Sequence, residues 1–281
     1  MSKQPLTLRE LQEVELDILN SFHLFCEKHG LRYYMGGGTL IGAIRHKGFI
    51  PWDDDIDLMM PRPDYMKLVE LVKKDCMLDE KHKIDCCYVN PNALSSALRI
   101  FDIRTELTFE NFRMPYVLGC WIDVFPIDGL HPVPAKRKLH FKEMRLVMDL
   151  YLLAITKFGG KRRSKLATVL QYGAAPILPF ARLFKNHQYT DWLDKISRRY
   201  DYDKCEWVGV LEGRAEEKEA LRKADLEPAI KVDFEGRKYW AMANYHEYLT
   251  NLYGDYMQLP PESERVSRHE INVFWKVGSK K

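Results

Sequence analysis

Four aspartates in five residues, Asp53, Asp54, Asp55 and Asp57, are interrupted by Ile56 and followed by Leu58, Met59 and Met60. In an extended chain the side chains alternate, so Asp55 and Asp57 share one face while Ile56 and Leu58 turn into a core. Two carboxylates about 4 Å apart repel by about 1 kcal/mol in water and about 4 kcal/mol at an effective dielectric of 20. Such a pair requires a cation or a shared proton. A hard divalent ion, Mg²⁺ or Mn²⁺, suits oxygen ligands and keeps positions open for phosphate oxygens.

Upstream stands Gly36-Gly37-Gly38-Thr39. Glycines ahead of a helix leave backbone N–H groups open to an anion, although a plain tight turn reads the same way. Arg45, His46 and Lys47 could add positive charge beside a diphosphate, or form a solvated helix end. Downstream, Asp123 stands alone in the apolar run Trp121-Ile122-Asp123-Val124-Phe125. A lone carboxylate there must be paired or bind a metal, and could polarise an attacking hydroxyl. Asp128, beyond Pro126, reads as a turn residue.

These residues need elements to hold them. Thr7 and Glu10 form a capping box, and Leu11, Val14, Ile18, Phe22 and Phe25 recur at helical spacing until Gly30. Leu31 to Met35 reads as a strand, Leu40 to His46 as a short helix, and the acidic run as a strand ended by Pro61 and Pro63. A helix over 65–74 and strands near 84–89, 97–103 and 121–125 follow. From 134 to about 200 the pattern is helical, broken by Gly159-Gly160, Pro176 and Pro179. Residues 232–240 read as a hairpin about Glu235-Gly236, and 243–253 as a helix closed by Gly254.

The chain has 281 residues, 46% apolar and 12% aromatic, enough for a large core. Its 43 basic and 40 acidic residues leave a net charge of +3, which does not suggest a nucleic-acid partner. Six scattered cysteines without C-x-x-C spacing argue against a disulfide framework or a zinc ribbon, and imply a reducing, cytoplasmic compartment. His82 and Cys86, four apart, have no second ligand pair, so zinc is set aside. No secretory h-region and no apolar run of about 20 residues are present. The basic stretch Lys161-Arg162-Arg163-Ser164-Lys165 precedes sixteen uncharged residues, then Arg182 and Lys185, so 161–185 could rest on a membrane interface or form core helices.

Residues Tyr34 to Asp57, YMGGGTLIGAIRHKGFIPWDDDID, closely resemble the signature of the LicD family of phosphotransferases, related to fukutin and fukutin-related protein. Trp121 to Gly129 resembles its second motif, and Tyr253 to Pro261 with Arg265 and His269 its C-terminal motif. The resemblance implies an α/β (α+β mixed) fold, nucleotidyltransferase-like, with a mixed sheet and an added helical subdomain. It divides the chain into a core over 1–133, a helical insertion over 134–204 facing acceptor or membrane, and a part over 205–281 completing core and site. It implies that Asp55, Asp57 and Asp123 hold the metal and perform catalysis.

Gly37, Gly38, Thr39, Arg45, His46, Arg99, Arg265 and His269 are then expected at the nucleotide and diphosphate. The implied reaction moves phosphocholine from CDP-choline to a sugar hydroxyl of a cell-surface glycan precursor of the teichoic acid or lipopolysaccharide type, lipid-linked or free, and releases CMP. A related CDP donor carrying ribitol phosphate, nucleotidyl transfer, and a non-catalytic glycan-binding role are the alternatives. A choline head needs an aromatic or acidic pocket, for which Trp52, Trp121, Tyr245 and Tyr248 are candidates. The expected location is cytoplasmic, at the inner face of the membrane.

Overall fold

The computed structural model describes residues 4–95, 97–108, 112–113, 116–157, 173, 175–213, 215–267 and 272–279. The first helix, α1 (Leu8–His29), opens with the expected reciprocal cap: the Glu10 N–H donates to Thr7 Oγ1 at 3.3 Å and the Thr7 N–H donates to Glu10 Oε2 at 2.9 Å. It closes at Gly30 in the left-handed conformation. Its apolar stripe of Leu11, Val14, Ile18, Leu19 and Phe22 is buried against the sheet.

The sheet begins with β1 (Tyr34–Met35) and β2 (Asp57–Pro61) and includes β3 (His82–Asp85), β4 (Leu98–Asp102) and the long β7 (Trp121–Leu130). Two short strands, β5 (Thr105–Thr108) and β6 (Val117–Leu118), lie between β4 and β7 in the chain and form a separate sheet with β12 (Phe274–Trp275) in the order β12-β5-β6. The main order is β1-β2-β7-β4-β3; β8 (Trp207–Gly209) joins the far end of β7, and β9 (Ala220–Arg222) joins β8. Among the described residues only β2 and β7 run parallel in this sheet, so it is mixed, as expected. Ile56, Leu58, Leu98, Ile100, Ile122 and Val124 are fully buried on one face. Each such side chain contributes roughly 1.5–3 kcal/mol to burial.

Strand β7 runs through Pro126 instead of stopping near Phe125. Pairing with β4 ends at Val124 and pairing with β8 begins at Asp128, so the proline falls where the strand changes partners on that edge. Asp128 is therefore on the strand, not in a turn, and the arginine that makes its burial tolerable is Arg62. That residue opens α3 (Arg62–Val72) and donates to Asp128 from Nε at 2.7 Å and Nη2 at 2.6 Å.

Between β1 and β2 the chain forms α2 (Gly37–Ile41), which continues as one π turn over Gly42–His46. The hairpin β10 (Ile230–Phe234) and β11 (Arg237–Ala241) turns at Glu235-Gly236, both at positive φ. Its tip grips the loop leading to the acidic run: the Glu235 N–H donates to Lys47 O at 2.9 Å, and the Phe49 N–H donates to Glu235 Oε1 at 3.3 Å.

Helices α4 (Pro134–Ile155), the single turn α5 (Leu178–Ala181) and α6 (Asn186–Ser197) build a second apolar cluster around Phe141, Met144, Tyr151, Tyr189 and Leu193. Most of the basic and apolar stretch 161–185 lies outside the described residues. The last helix, α7 (Tyr245–Tyr253), ends at Gly254 as read from the sequence.

Candidate active site

Parallel pairing of β2 with β7 places Asp57 directly opposite Asp123, and the Asp123 N–H donates to Ile56 O at 3.0 Å. In-register neighbours on adjacent strands project to the same face, so these two carboxylates stand side by side. Asp55, two residues ahead of Asp57, is half-buried like it, while Ile56 and Leu58 are buried between and beyond them. This is the alternation expected from the sequence. Ahead of the strand, one carboxylate oxygen from each of Asp53, Asp54 and Asp55 lies within 4.8 Å of the others.

Burial and then the charges of Asp55, Asp123, Asp53 and Glu219 hold the Asp57 carboxyl well above the usual carboxylate range. Among the described residues no arginine or lysine forms an ion pair with it. Asp123 is better supplied: Arg99 Nε donates to Oδ1 at 3.1 Å and Trp121 Nε1 donates to Oδ2 at 2.9 Å. Arg99 sits opposite Asp123 on β4 and also lies over the Trp121 ring, 5.2 Å from its centroid.

The glycine turn packs directly on the carboxylates. Gly37 has φ +47, and a Cβ there would lie 3.4 Å from Asp57 Oδ2; a Cβ on Gly38 would lie 2.9 Å from Asp53 Oδ2. A side chain at either position would crowd the cradle, which is the local reason for glycine. Thr39 is buried, and its hydroxyl accepts the Asp57 N–H at 2.8 Å, fixing how the strand starts. The helix leaves its first-turn N–H groups without partners of its own. The Gly37 N–H is directed to the Tyr248 hydroxyl at 3.4 Å.

Arg45 is tied to the C-terminal motif: Nη1 donates to the carbonyls of Tyr256 at 2.7 Å and Gln258 at 3.2 Å, and Nε donates to His46 Nε2 at 2.9 Å. Burial and the neighbouring Arg45 charge lower the His46 pKa. Arg265 Nε donates to Pro260 O at 2.9 Å, and its guanidinium lies 5.8 Å from the Trp52 ring. Trp52 and Trp121, two rings considered for a quaternary ammonium, thus already face arginines of the chain. Tyr248 is buried and Tyr245 half-buried in the core. His269 lies outside the described residues.

Three further residues, Glu15, Ser267 and Glu219, join the site without having been singled out in the sequence, and Tyr253, the first residue of the C-terminal motif, joins with them. Glu15 of α1 is buried, and burial followed by Asp55, Asp54, Asp53 and Asp57 raises its carboxyl well above the ordinary range. Its signal was a glutamate on the core-facing stripe of a helix. Ser267 donates to Asp54 Oδ2 at 2.5 Å. Glu219, whose carboxyl burial pushes up to about 7, acts electrostatically on both Asp57 and Tyr248. Tyr253 places its hydroxyl 3.4 Å from the Gly37 Cβ position. The last two are far from the aspartates in sequence, and only the fold brings them near.

Asp55, Asp57 and Asp123 offer carboxylate oxygens among acidic neighbours, the chemistry that a hard divalent ion takes, while the three carboxylates whose oxygens lie within 4.8 Å of one another here are Asp53, Asp54 and Asp55. The LicD/FKTN/FKRP nucleotidyltransferase-domain model matches residues 30–105, a span that holds the glycine turn, Asp55, Asp57 and Arg99. The chain is 35% identical over 274 residues to the lipopolysaccharide cholinephosphotransferase LicD of Haemophilus influenzae, covering 94% of this chain and 96% of that protein. The ribitol 5-phosphate transferase FKRP of mouse and of human is 43% identical over 54 residues, 19% of this chain and 10% of FKRP. Identity sustained over nearly the whole length, on a mixed α/β framework, makes this protein a member of the LicD family and an enzyme of the transferase class.

Proposed function

We propose that the protein transfers phosphocholine from CDP-choline to a sugar hydroxyl of a cell-surface glycan precursor, releasing CMP. The observation that supports this best is the in-register pair Asp57 and Asp123 beside Asp55, on a chain with a full-length cholinephosphotransferase relative. Lipopolysaccharide is the acceptor class favoured by that relative, with a teichoic acid precursor as the second choice.

Asp55, Asp57 and Asp123 would hold Mg²⁺ or Mn²⁺, which when bound offsets the charge of the diphosphate and of the leaving CMP. The first-turn N–H groups of Gly38 and Thr39 face the same anion in this reading. Asp123, its plane fixed by Arg99 and Trp121, orients the acceptor hydroxyl and takes its proton as the oxygen attacks phosphorus in line with the departing CMP oxygen. Arg99 balances the Asp123 charge until the phosphate arrives.

A second reading keeps the site and changes the cargo. The local match to FKRP supports a CDP donor carrying another phospho-substituted group such as ribitol phosphate; nucleotidyl transfer would use the same carboxylates. Calorimetric binding of CDP-choline, CDP-ribitol and CTP, each with and without Mg²⁺, to the wild type and to Asp55→Ala plus Asp57→Ala separates these. Metal-dependent preference for CDP-choline that the variant loses supports the first reading; preference for CDP-ribitol or CTP reassigns the donor.

The helical region 134–204 belongs in this proposal as the part facing acceptor or membrane, beside a core of 1–133 completed by 205–281. No helix of the described residues is long and apolar enough to cross a membrane. Ile177, Phe180 and Leu183 are exposed next to Arg182 and Lys185, which supports peripheral docking of 161–185 at the inner membrane face. Flotation with anionic liposomes tests it, and a wholly unbound protein rejects it.

A further inference from the structure

Helix α7 brings two tyrosines to the glycine turn and uses them differently. Tyr248 is buried; its hydroxyl accepts the Gly37 N–H at 3.4 Å and donates to Met59 Sδ at 3.4 Å, locking the turn to the helix and to β2. Tyr253, five residues on, is 48% exposed, yet its hydroxyl reaches the same glycine from outside. The Gly37 Cβ position lies 3.4 Å from Tyr253 Oη and 3.4 Å from Asp57 Oδ2. A neutral phenol and a carboxylate thus flank the gap that the missing side chain leaves open.

The placement is braced. The Gly254 N–H donates to Thr250 O at 2.8 Å, the Tyr256 N–H donates to Gly254 O at 2.9 Å, and Arg45 Nη1 grips the carbonyls of Tyr256 and Gln258. His46, beside Arg45, is held by its Nε contact, and the Tyr256 hydroxyl is 2.9 Å from His246 Nδ1. The segment after Tyr253 is therefore fastened to the π turn that follows the glycines.

An aspartate-rich site that receives a diphosphate needs proton donors aimed at phosphate oxygens. A tyrosine hydroxyl remains protonated at neutral pH and donates without adding charge. We infer that Tyr253 is a substrate-binding residue whose hydroxyl donates a hydrogen bond to a phosphate oxygen of the diphosphate held at Asp57. This rests on the proposed phosphotransfer, and it assigns to the C-terminal motif a direct contact with the donor.

The test is Tyr253→Phe, which keeps the ring and removes the one oxygen, with Tyr253→Ala as a companion. Calorimetry with inorganic pyrophosphate and Mg²⁺ reads the contact independently of cargo and acceptor. A hydrogen bond to a charged group predicts a loss of affinity of about ten- to a hundredfold in Tyr253→Phe, with an unchanged melting temperature. Turnover of CDP-choline should show the same fall in kcat/KM. A wild type that binds pyrophosphate while Tyr253→Phe binds it equally well overturns this inference and leaves the proposed function standing. A wild type that binds no pyrophosphate with Mg²⁺ overturns both.

Discussion

Asp57 and Asp128 lie on the paired strands β2 and β7, yet they occupy opposite electrostatic situations. Asp128 is buried and receives both arms of Arg62, whose guanidinium also reaches Asp194 at 3.5 Å and lies over the Tyr65 ring at 5.2 Å. Tyr88 donates to Asp194 and accepts a bond from Arg62. Even so, burial holds the Asp128 carboxyl above its ordinary value, with Arg62 pulling it back. Around Asp57 the balance is reversed. Arg99 serves Asp123, while the charges facing Asp57 are Asp55, Asp123, Asp53 and Glu219. The fold supplies a fixed cation where a carboxylate has only to hold elements together. It withholds one from Asp57, where the proposed reaction would bind a cation with the substrate.

Substitution should separate the two regions sharply. Asp57→Asn is expected to lower the transfer rate at least about a thousandfold while leaving the metal-free protein as stable as the wild type or more so, because one like charge is removed. Asp128→Asn should do the opposite. It strands Arg62 and should cost about 3–5 kcal/mol of stability, with transfer per folded molecule retained. Initial rates of CMP release and denaturant unfolding of both variants check this. The double variant Arg62→Met with Asp128→Leu should recover most of the lost stability, since an apolar pair of similar size replaces a buried ion pair at little cost. An unfolded Asp57→Asn protein would erase the distinction.

The same contrast explains what could be read from the chain. Asp55, Asp57 and their alternation with Ile56 and Leu58 were legible because strand periodicity is local, and Asp123 because a charge in an apolar strand demands an explanation. The cap of α1, the hairpin turn and the end of α7 were legible from turn and cap chemistry. Asp128 was misread because its partner Arg62 is 66 residues away, and nothing near Pro126 announces that the strand continues through it. Thr39 and Arg45 were legible as neighbours of the glycine turn. Their hydrogen bonds, to the Asp57 N–H and to the carbonyls of Tyr256 and Gln258, depend on the fold. Glu15, Glu219 and Tyr253 reach the site only through tertiary packing.

Glu219 offers a graded test of the same idea, because it is a buried carboxyl that burial raises from 4.5 to about 7 against the pull of a hydrogen bond from the Ala215 backbone. Between those values the folded protein keeps a proton that the unfolded chain has lost. Stability contributed by that proton is therefore present at low pH and is lost as pH rises through about 7. The rise corresponds to roughly 3 kcal/mol across the window. Urea unfolding of the metal-free protein should show declining stability from pH 5 to pH 8, and Glu219→Gln should flatten that decline. A slope unchanged in Glu219→Gln would assign it to other groups, Asp57 foremost, whose raised carboxyl pulls in the same direction.

Arg45 sharpens the comparison at its smallest scale, since it follows the glycine turn and among the described residues forms no ion pair with a carboxylate. Its Nη1 holds two backbone carbonyls, and burial without a counter-charge lowers its pKa. If its charge alone matters to the donor, Arg45→Lys preserves donor affinity and Arg45→Ala weakens it. If its grip on Tyr256 and Gln258 matters, lysine cannot reproduce the geometry and both variants suffer alike. The bonds observed favour the second outcome: about 1–2 kcal/mol lost from stability in each variant, with a severalfold rise in KM for CDP-choline as the segment after Tyr253 loosens. Measuring KM and melting temperature for the two variants together decides between a charge that attracts the donor and a clasp that positions the residues around it.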